Sequence, residues 1–189
     1  MLPLQILFLN LVTDVFPALA LGVGEGDEGT MRRPPRDPSE PVLSRRHWIG
    51  IGGYGLVFSG AVLGALFWAT QGLGLEGEAA ITVSFLTLAF GQLWHVFNMR
   101  QPESGVLVNE VTRNRYVWAA VGFCELLLFG AVYLPGVAGV LEIQPPGADA
   151  WTIIALMSLV PLAVGQGVLG VRGYLRVSSE KRTAVDSLR

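Results

Sequence analysis

Residues 2–22 read LPLQILFLNLVTDVFPALALG, an apolar run interrupted near its middle by Asn10, Thr13, Asp14 and Pro17. Its length matches the roughly 20 residues that cross a bilayer as a helix. A carboxylate in such a span costs a few kcal/mol on insertion scales, so intramembrane acids usually face a bundle interior or an ion path. On an α-helix, positions 10, 13 and 14 stand at i, i+3 and i+4, and their side chains are predicted to share one face. Pro17 has no N–H for the carbonyl of Thr13 and its ring clashes there, so the helix is expected to kink or unwind. Amide and hydroxyl oxygens, a carboxylate and a freed carbonyl would then lie together. That is the ligand set of hard cations, and broken midplane helices are a recurring way to build ion sites.

Working outward, four further apolar runs follow, at about 48–70, 79–99, 116–140 and 151–171. With 51% hydrophobic and 15% charged residues in 189, the chain has room for one membrane domain. The expected fold is an all-α membrane protein, a bundle of five transmembrane helices spanning 1–175, with a cytoplasmic tail at 176–189. Val23 to Arg46, rich in Gly, Pro and charge, reads as an irregular loop. In the second span Gly60 and Gly64 are four apart, a spacing that lets a neighbouring helix approach closely, although glycine is common in membrane helices anyway. Trp48, Trp118 and Trp151 stand at span ends as interface anchors.

Charge placement orients the bundle. The alternate loops 23–47, 100–115 and 172–189 hold 5, 3 and 5 Lys plus Arg, which are all 13 in the chain. The turns 71–78 and 142–149 hold none, and carry Glu76, Glu78, Glu142 and Asp149 instead. The positive-inside rule puts the N-terminus outside and the C-terminus in the cytoplasm. Ala18-Leu19-Ala20 looks like a signal-peptide cleavage site, but no basic residue precedes the apolar run and polar residues break it, which argues against a leader.

Several chemistries are excluded. One cysteine, Cys124, permits neither an internal disulfide nor a multi-cysteine metal cluster, and in its apolar run it reads as a buried, inert thiol. Two histidines, His47 and His95, are too few for a His-based metal centre. There is no Gly-rich phosphate loop, no HExxH and no GxSxG. No nucleic-acid partner is expected.

The pattern N-L-V-T-D-x-x-P-A-x-A-L-G from Asn10 to Gly22 resembles the sixth transmembrane helix of type II P-type cation-transporting ATPases, the family of the sarcoplasmic reticulum calcium pump. M-x-R-P-P-R-x-P-x-E-P-V-L-S, Met31 to Ser44, resembles the cytoplasmic loop after that helix. A weaker similarity continues to about Leu175 as the four remaining helices. The 189 residues contain no D-K-T-G phosphorylation motif and no nucleotide-binding or actuator domain. Met1 falls where the family turns from helix five to helix six. The resemblance therefore implies helices six to ten of a pump, separated from its motor.

The same resemblance assigns the metal ligands. Asn10, Thr13 and Asp14 would bind the transported cation from helix six. Gln92, in F-G-Q-L-W-H-V-F-N, aligns where two-site calcium pumps place a glutamate in helix eight. Its neutral amide weakens the case for a second full calcium site and resembles the one-site calcium and manganese pumps; the alternative is interhelical glue. Two weaker candidates remain. His95, at i+3 from Gln92, either tunes the site or is a hydrogen-bonded core group near a helix end. Glu125 lies in a helix where sodium pumps carry acidic residues; it is a further ion contact, a proton-bearing countercharge, or a protonated acid bonded to a neighbour.

The expected function is thus the cation-binding and scaffold part of an ATP-driven pump. Ca2+ or Mn2+ is favoured and Na+ is the lesser option, with ATP and Mg2+ engaged only through domains outside these residues. Its partners would be the lipid bilayer, in a bacterial plasma membrane, and an N-terminal pump portion whose stalk and phosphorylation domain meet the loop 23–46. Alone, the chain is expected neither to hydrolyse ATP nor to transport. The rival reading is non-enzymatic: a stand-alone membrane module, an accessory subunit or a remnant of a pump gene.

Overall fold

A computed structural model describes residues 2–24, 35, 41–100 and 104–186. The loop motif at Met31–Ser44 lies largely outside them. The described residues form helices and no strand, and five helical segments are long and apolar enough to cross a membrane: Pro3–Gly22, His47–Gly72, Gly77–Asn98, Arg115–Tyr133 and Ala148–Val171.

The first span is built from α1 (Pro3–Asn10), a π turn (Leu11–Val15) and α2 (Phe16–Gly22). No break falls at Pro17, where a kink or unwinding was expected: the π turn runs into α2 through Val15 and Phe16 in helical geometry, and the departure from α geometry lies just upstream, in the wide turn that holds Thr13. Each end of this span is tied by an amide side chain. The buried Gln5 donates from Nε2 to the Leu141 carbonyl at 2.9 Å and accepts at Oε1 from the Leu2 N–H at 3.0 Å. Asn114 donates from Nδ2 to the Ala20 carbonyl at 2.9 Å. Gln5→Leu strands the Leu141 carbonyl, and leaving a buried acceptor unpaired costs ~1–3 kcal/mol. A lower unfolding midpoint in detergent titrations checks this, and an unchanged midpoint rejects it.

The second span is α3 (Arg45–Phe67) with a π turn at Trp68–Gly72, and the third is α4 (Gly77–His95) with a 3-10 turn at Val96–Asn98. Their environments differ sharply: 72% of the most apolar stretch of the third span is buried against 11% of that of the second. So α4 is the central helix and α3 an outer one. Two buried hydroxyls on α4 are satisfied within their own helix, Ser84 to the Ala80 carbonyl and Thr87 to the Val83 carbonyl, while a third, Thr82, accepts from the Gln144 N–H at 3.1 Å. The second span packs through Ala61 and Ala65 of α3 and Ala69 of the π turn, four apart and buried. The glycine pair expected to mediate that approach contributes only in part: a Cβ on Gly64 would stand 3.7 Å from the Met157 Sδ, while Gly60 faces open space.

After the short α5 (Glu110–Arg113), capped by Asn109, comes α6 (Arg115–Tyr133). The fourth span was expected to run to residue 140, but it stops at Tyr133. Leu134 is extended, as a residue before proline tends to be, and Pro135–Leu141 forms a separate helix, α7. The last helix, α8 (Ala148–Asp186), continues through Pro161 and through most of the segment read as a tail. The central core joins Leu9, Val12, Phe85, Leu86, Leu128 and Ile154 from four spans.

Of the expected interface tryptophans, Trp48 and Trp118 are exposed at span ends. Trp151 instead packs into an aromatic cluster, 5.4 Å from the Phe129 ring and 6.0 Å from Phe90.

Candidate functional site

The π turn decides how the polar residues of the first span are displayed. A π turn takes more residues per revolution than an α turn, pairing i with i+5. Residues four apart then stay roughly aligned, while a residue three along is swung away. Asn10 and Asp14 are accordingly both exposed on the outside of the bundle, and Thr13 is buried at 5% exposure. The single shared face expected for an α-helix is therefore divided in two.

Thr13 is where two spans meet. Its hydroxyl lies 2.8 Å from the Gln92 Oε1 on α4, 3.0 Å from the Leu9 carbonyl and 3.3 Å from the Asp14 Oδ1. One hydroxyl hydrogen can satisfy one of these three acceptors. With the Gln92 amide turned about, its NH2 donates to the Thr13 oxygen, the Thr13 proton goes to Leu9, and the cluster holds itself together. With the Gln92 oxygen inward, four oxygens gather round one proton and call for a positive partner. Which way an amide faces follows from its hydrogen bonds, so this site has two chemically sensible states.

The structure thus brings Thr13, Asp14 and Gln92 together. The Asn10 side chain makes no hydrogen bond to any described residue and stands beside them on the exposed face. His95 lies on the other side of Gln92: both line a groove of about 630 Å3 between α3 and α4, with Tyr54 and Phe58. Its ring is 4.4 Å from the Tyr54 ring, and its buried Nδ1 has no partner among the described residues. Glu125 is half-buried on α6, and its carboxyl makes no hydrogen bond to any described residue. Among the described residues no three His, Cys, Asp or Glu side chains converge, so any cation here would be held chiefly by neutral oxygens and one carboxylate. The four oxygens here, the Thr13 hydroxyl and its three acceptors, fall short of the 6–8 that Ca2+ usually takes.

One contact had no sequence signal. The Cys124 thiol donates to the Val12 carbonyl at 3.0 Å, and both residues are 0% exposed. Beside it Phe16 meets Phe123 edge-on at 4.9 Å, so α6 grips the turn on both sides of the polar residues.

Residues 1–169 match the family described as cation transporting ATPase, C-terminus. The chain is 31% identical over 172 residues to a calcium-transporting ATPase of Bacillus subtilis, covering 91% of this chain and 19% of that protein. It is 27% identical to calcium-transporting ATPase 1 of Bacillus cereus (87% and 20%), and 29% identical to a calcium-transporting ATPase of Listeria monocytogenes (85% and 18%). The chain spans about a fifth of the length of the curated relatives it matches. Five membrane-length helices and this kinship make it an integral membrane protein. A match over residues 1–169, carried by the same five spans that build the bundle, means that the chain belongs to the cation-transporting ATPase C-terminal family.

Proposed function

We propose that this chain supplies helices six to ten of an ATP-driven calcium pump and holds part of its ion site with Thr13, Asp14, Gln92 and Asn10. The observation that carries this reading is the oxygen cluster between two spans, where one hydroxyl proton faces acceptors from Leu9, Asp14 and Gln92. Hard oxygens suit Ca2+, and Mn2+ accepts the same ligands; Na+ is the lesser option because the relatives of this chain are calcium-transporting ATPases. Residues 1–175 would act as the membrane domain and 176–189 as a cytoplasmic extension. The N-terminus would lie outside and the C-terminus inside a bacterial plasma membrane; the placement of the basic residues supports that orientation.

The exposed pair Asn10 and Asp14 supports a protein partner inside the bilayer. An acid facing lipid at midspan costs ~2.5–3.5 kcal/mol on insertion scales, and cover from further helices removes that cost. Those helices would also complete the ligand count. The partner is therefore a pump portion carrying helices one to five and the phosphorylation machinery, within the same polypeptide or beside it. ATP and Mg2+ would bind there. His95 and Glu125 are secondary contributors, through the groove beside Gln92 and through α6.

The test is expression together with such an N-terminal portion, followed by ATP-driven uptake of labelled calcium into membrane vesicles. Uptake that needs both portions supports the reading. Absent uptake while both portions insert favours the non-enzymatic alternative, unless manganese or sodium is carried in parallel assays.

A further inference from the structure

The π turn that divides the polar residues needs a cause, and two residues outside the ligand set supply one. Pro17 has no N–H to donate. In an α count the carbonyl left without a partner would be that of Thr13, but within a π turn, counting five residues back, it is that of Val12. Val12 is the residue whose carbonyl accepts the Cys124 thiol, at 3.0 Å and out of contact with solvent. A buried carbonyl without a donor costs ~1–3 kcal/mol, so a donor from another helix at this atom favours the wide turn over its alternatives. The next residue, Thr13, is turned inward to Gln92 while Asn10 and Asp14 stay outside.

We propose that Pro17 and Cys124 form one positioning device: Pro17 withholds the intrahelical donor from Val12, Cys124 supplies it from α6, and the resulting π turn sets Thr13 against Asn10 and Asp14. Neither residue touches the ion. Their effect on cation affinity rests on the pump reading above; their effect on the backbone does not.

Cys124 is the sole cysteine, so its S–H stretch is an isolated infrared reporter in the purified chain reconstituted in lipid nanodiscs. The band is expected below the frequency of a free thiol in the wild type, and to return toward that frequency in Pro17→Ala, where residue 17 regains its N–H. In the pump assembled with its N-terminal portion, Cys124→Ala is expected to raise half-saturating calcium about tenfold, the equivalent of one hydrogen bond of ~1.4 kcal/mol. Half-saturating ATP should not move. Cys124→Ser, which keeps a donor, should stay within about twofold of wild type, and Pro17→Ala with Cys124→Ala should recover most of the loss, since the coupling of the pair is what a double-mutant cycle reads. A shifted wild-type band without any transport supports the device and counts against the pump reading alone. A wild-type band at the free-thiol frequency, or one unmoved by Pro17→Ala, overturns the proposal.

Discussion

Asp14→Asn is expected to abolish calcium uptake by the assembled pump while leaving both portions inserted. Asp14 is the acid within hydrogen-bonding distance of Thr13, and the remaining oxygens of the cluster are neutral. Ca2+ draws much of its affinity from carboxylates. Removing one partner of a charge pair in a desolvated site costs roughly 3–5 kcal/mol, about two to four decades in affinity. Asparagine keeps the size and one oxygen, so the loss would report charge rather than packing. The measurement is half-saturating calcium in ATP-driven vesicle uptake. An unchanged value would remove Asp14 from the ligand set and with it the reading of the π turn as an ion site. Thr13→Ala is the informative companion. Its hydroxyl contributes one neutral contact and also holds Gln92, so a smaller rise is expected, together with weaker docking of the first span on α4.

Gly165→Ala is expected to have the largest effect on stability. A Cβ there would stand 2.6 Å from the Asn98 Cγ and closer still to its amide nitrogen. Asn98 cannot move away freely, because its Nδ2 donates to the Tyr54 hydroxyl at 3.1 Å and to the Pro161 carbonyl at 3.3 Å, while Tyr54 itself donates to the Pro161 carbonyl at 3.2 Å. The next residue, Gln166, donates to the Phe97 carbonyl at 2.7 Å and accepts from the Arg100 Nε at 2.9 Å. This network joins the second, third and fifth spans at one end of the bundle. Overpacking of this kind typically costs 1–3 kcal/mol, and displacing Asn98 would add the loss of its bonds, about 1 kcal/mol each. A fall in the unfolding midpoint in detergent, corresponding to roughly 3 kcal/mol, checks this. Adding Asn98→Ala to Gly165→Ala should restore part of the loss by opening the space; a double variant weaker than the sum of its parts would reject the mechanism.

Much of this protein was legible before any coordinates. Runs such as 79–99 and 151–171 report their helices through length and apolarity alone, because lipid allows a lone spanning segment no other way to satisfy its backbone. Asp14 stands out as a candidate because a carboxylate in an apolar span is costly. The end of the fourth span was also written in the chain, in Leu134-Pro135, but its consequence was hidden: whether a proline bends a membrane helix or ends it depends on what neighbouring segments offer the freed backbone. Here Leu134 is extended and α7 starts afresh, with the Leu141 carbonyl taken by Gln5 from 136 positions away.

The candidate site shows the same division. Periodicity put Asn10, Thr13 and Asp14 on one face because it assumed a constant 3.6-residue turn. The π turn removes that assumption, and its partner, the Cys124 thiol, comes from 112 positions along the chain. No local pattern carries such a contact. Gln92 was found through alignment to a family position, yet its bond to Thr13 exists only where α4 passes the first span. Which segments enter the membrane, and which polar atoms they carry there, can be read from the amino-acid order, because both follow from the local cost of burying polar groups in lipid. Tertiary structure alone decided which of those atoms meet, because a freed carbonyl or a lone hydroxyl takes its donor from whichever helix packing brings within 3 Å.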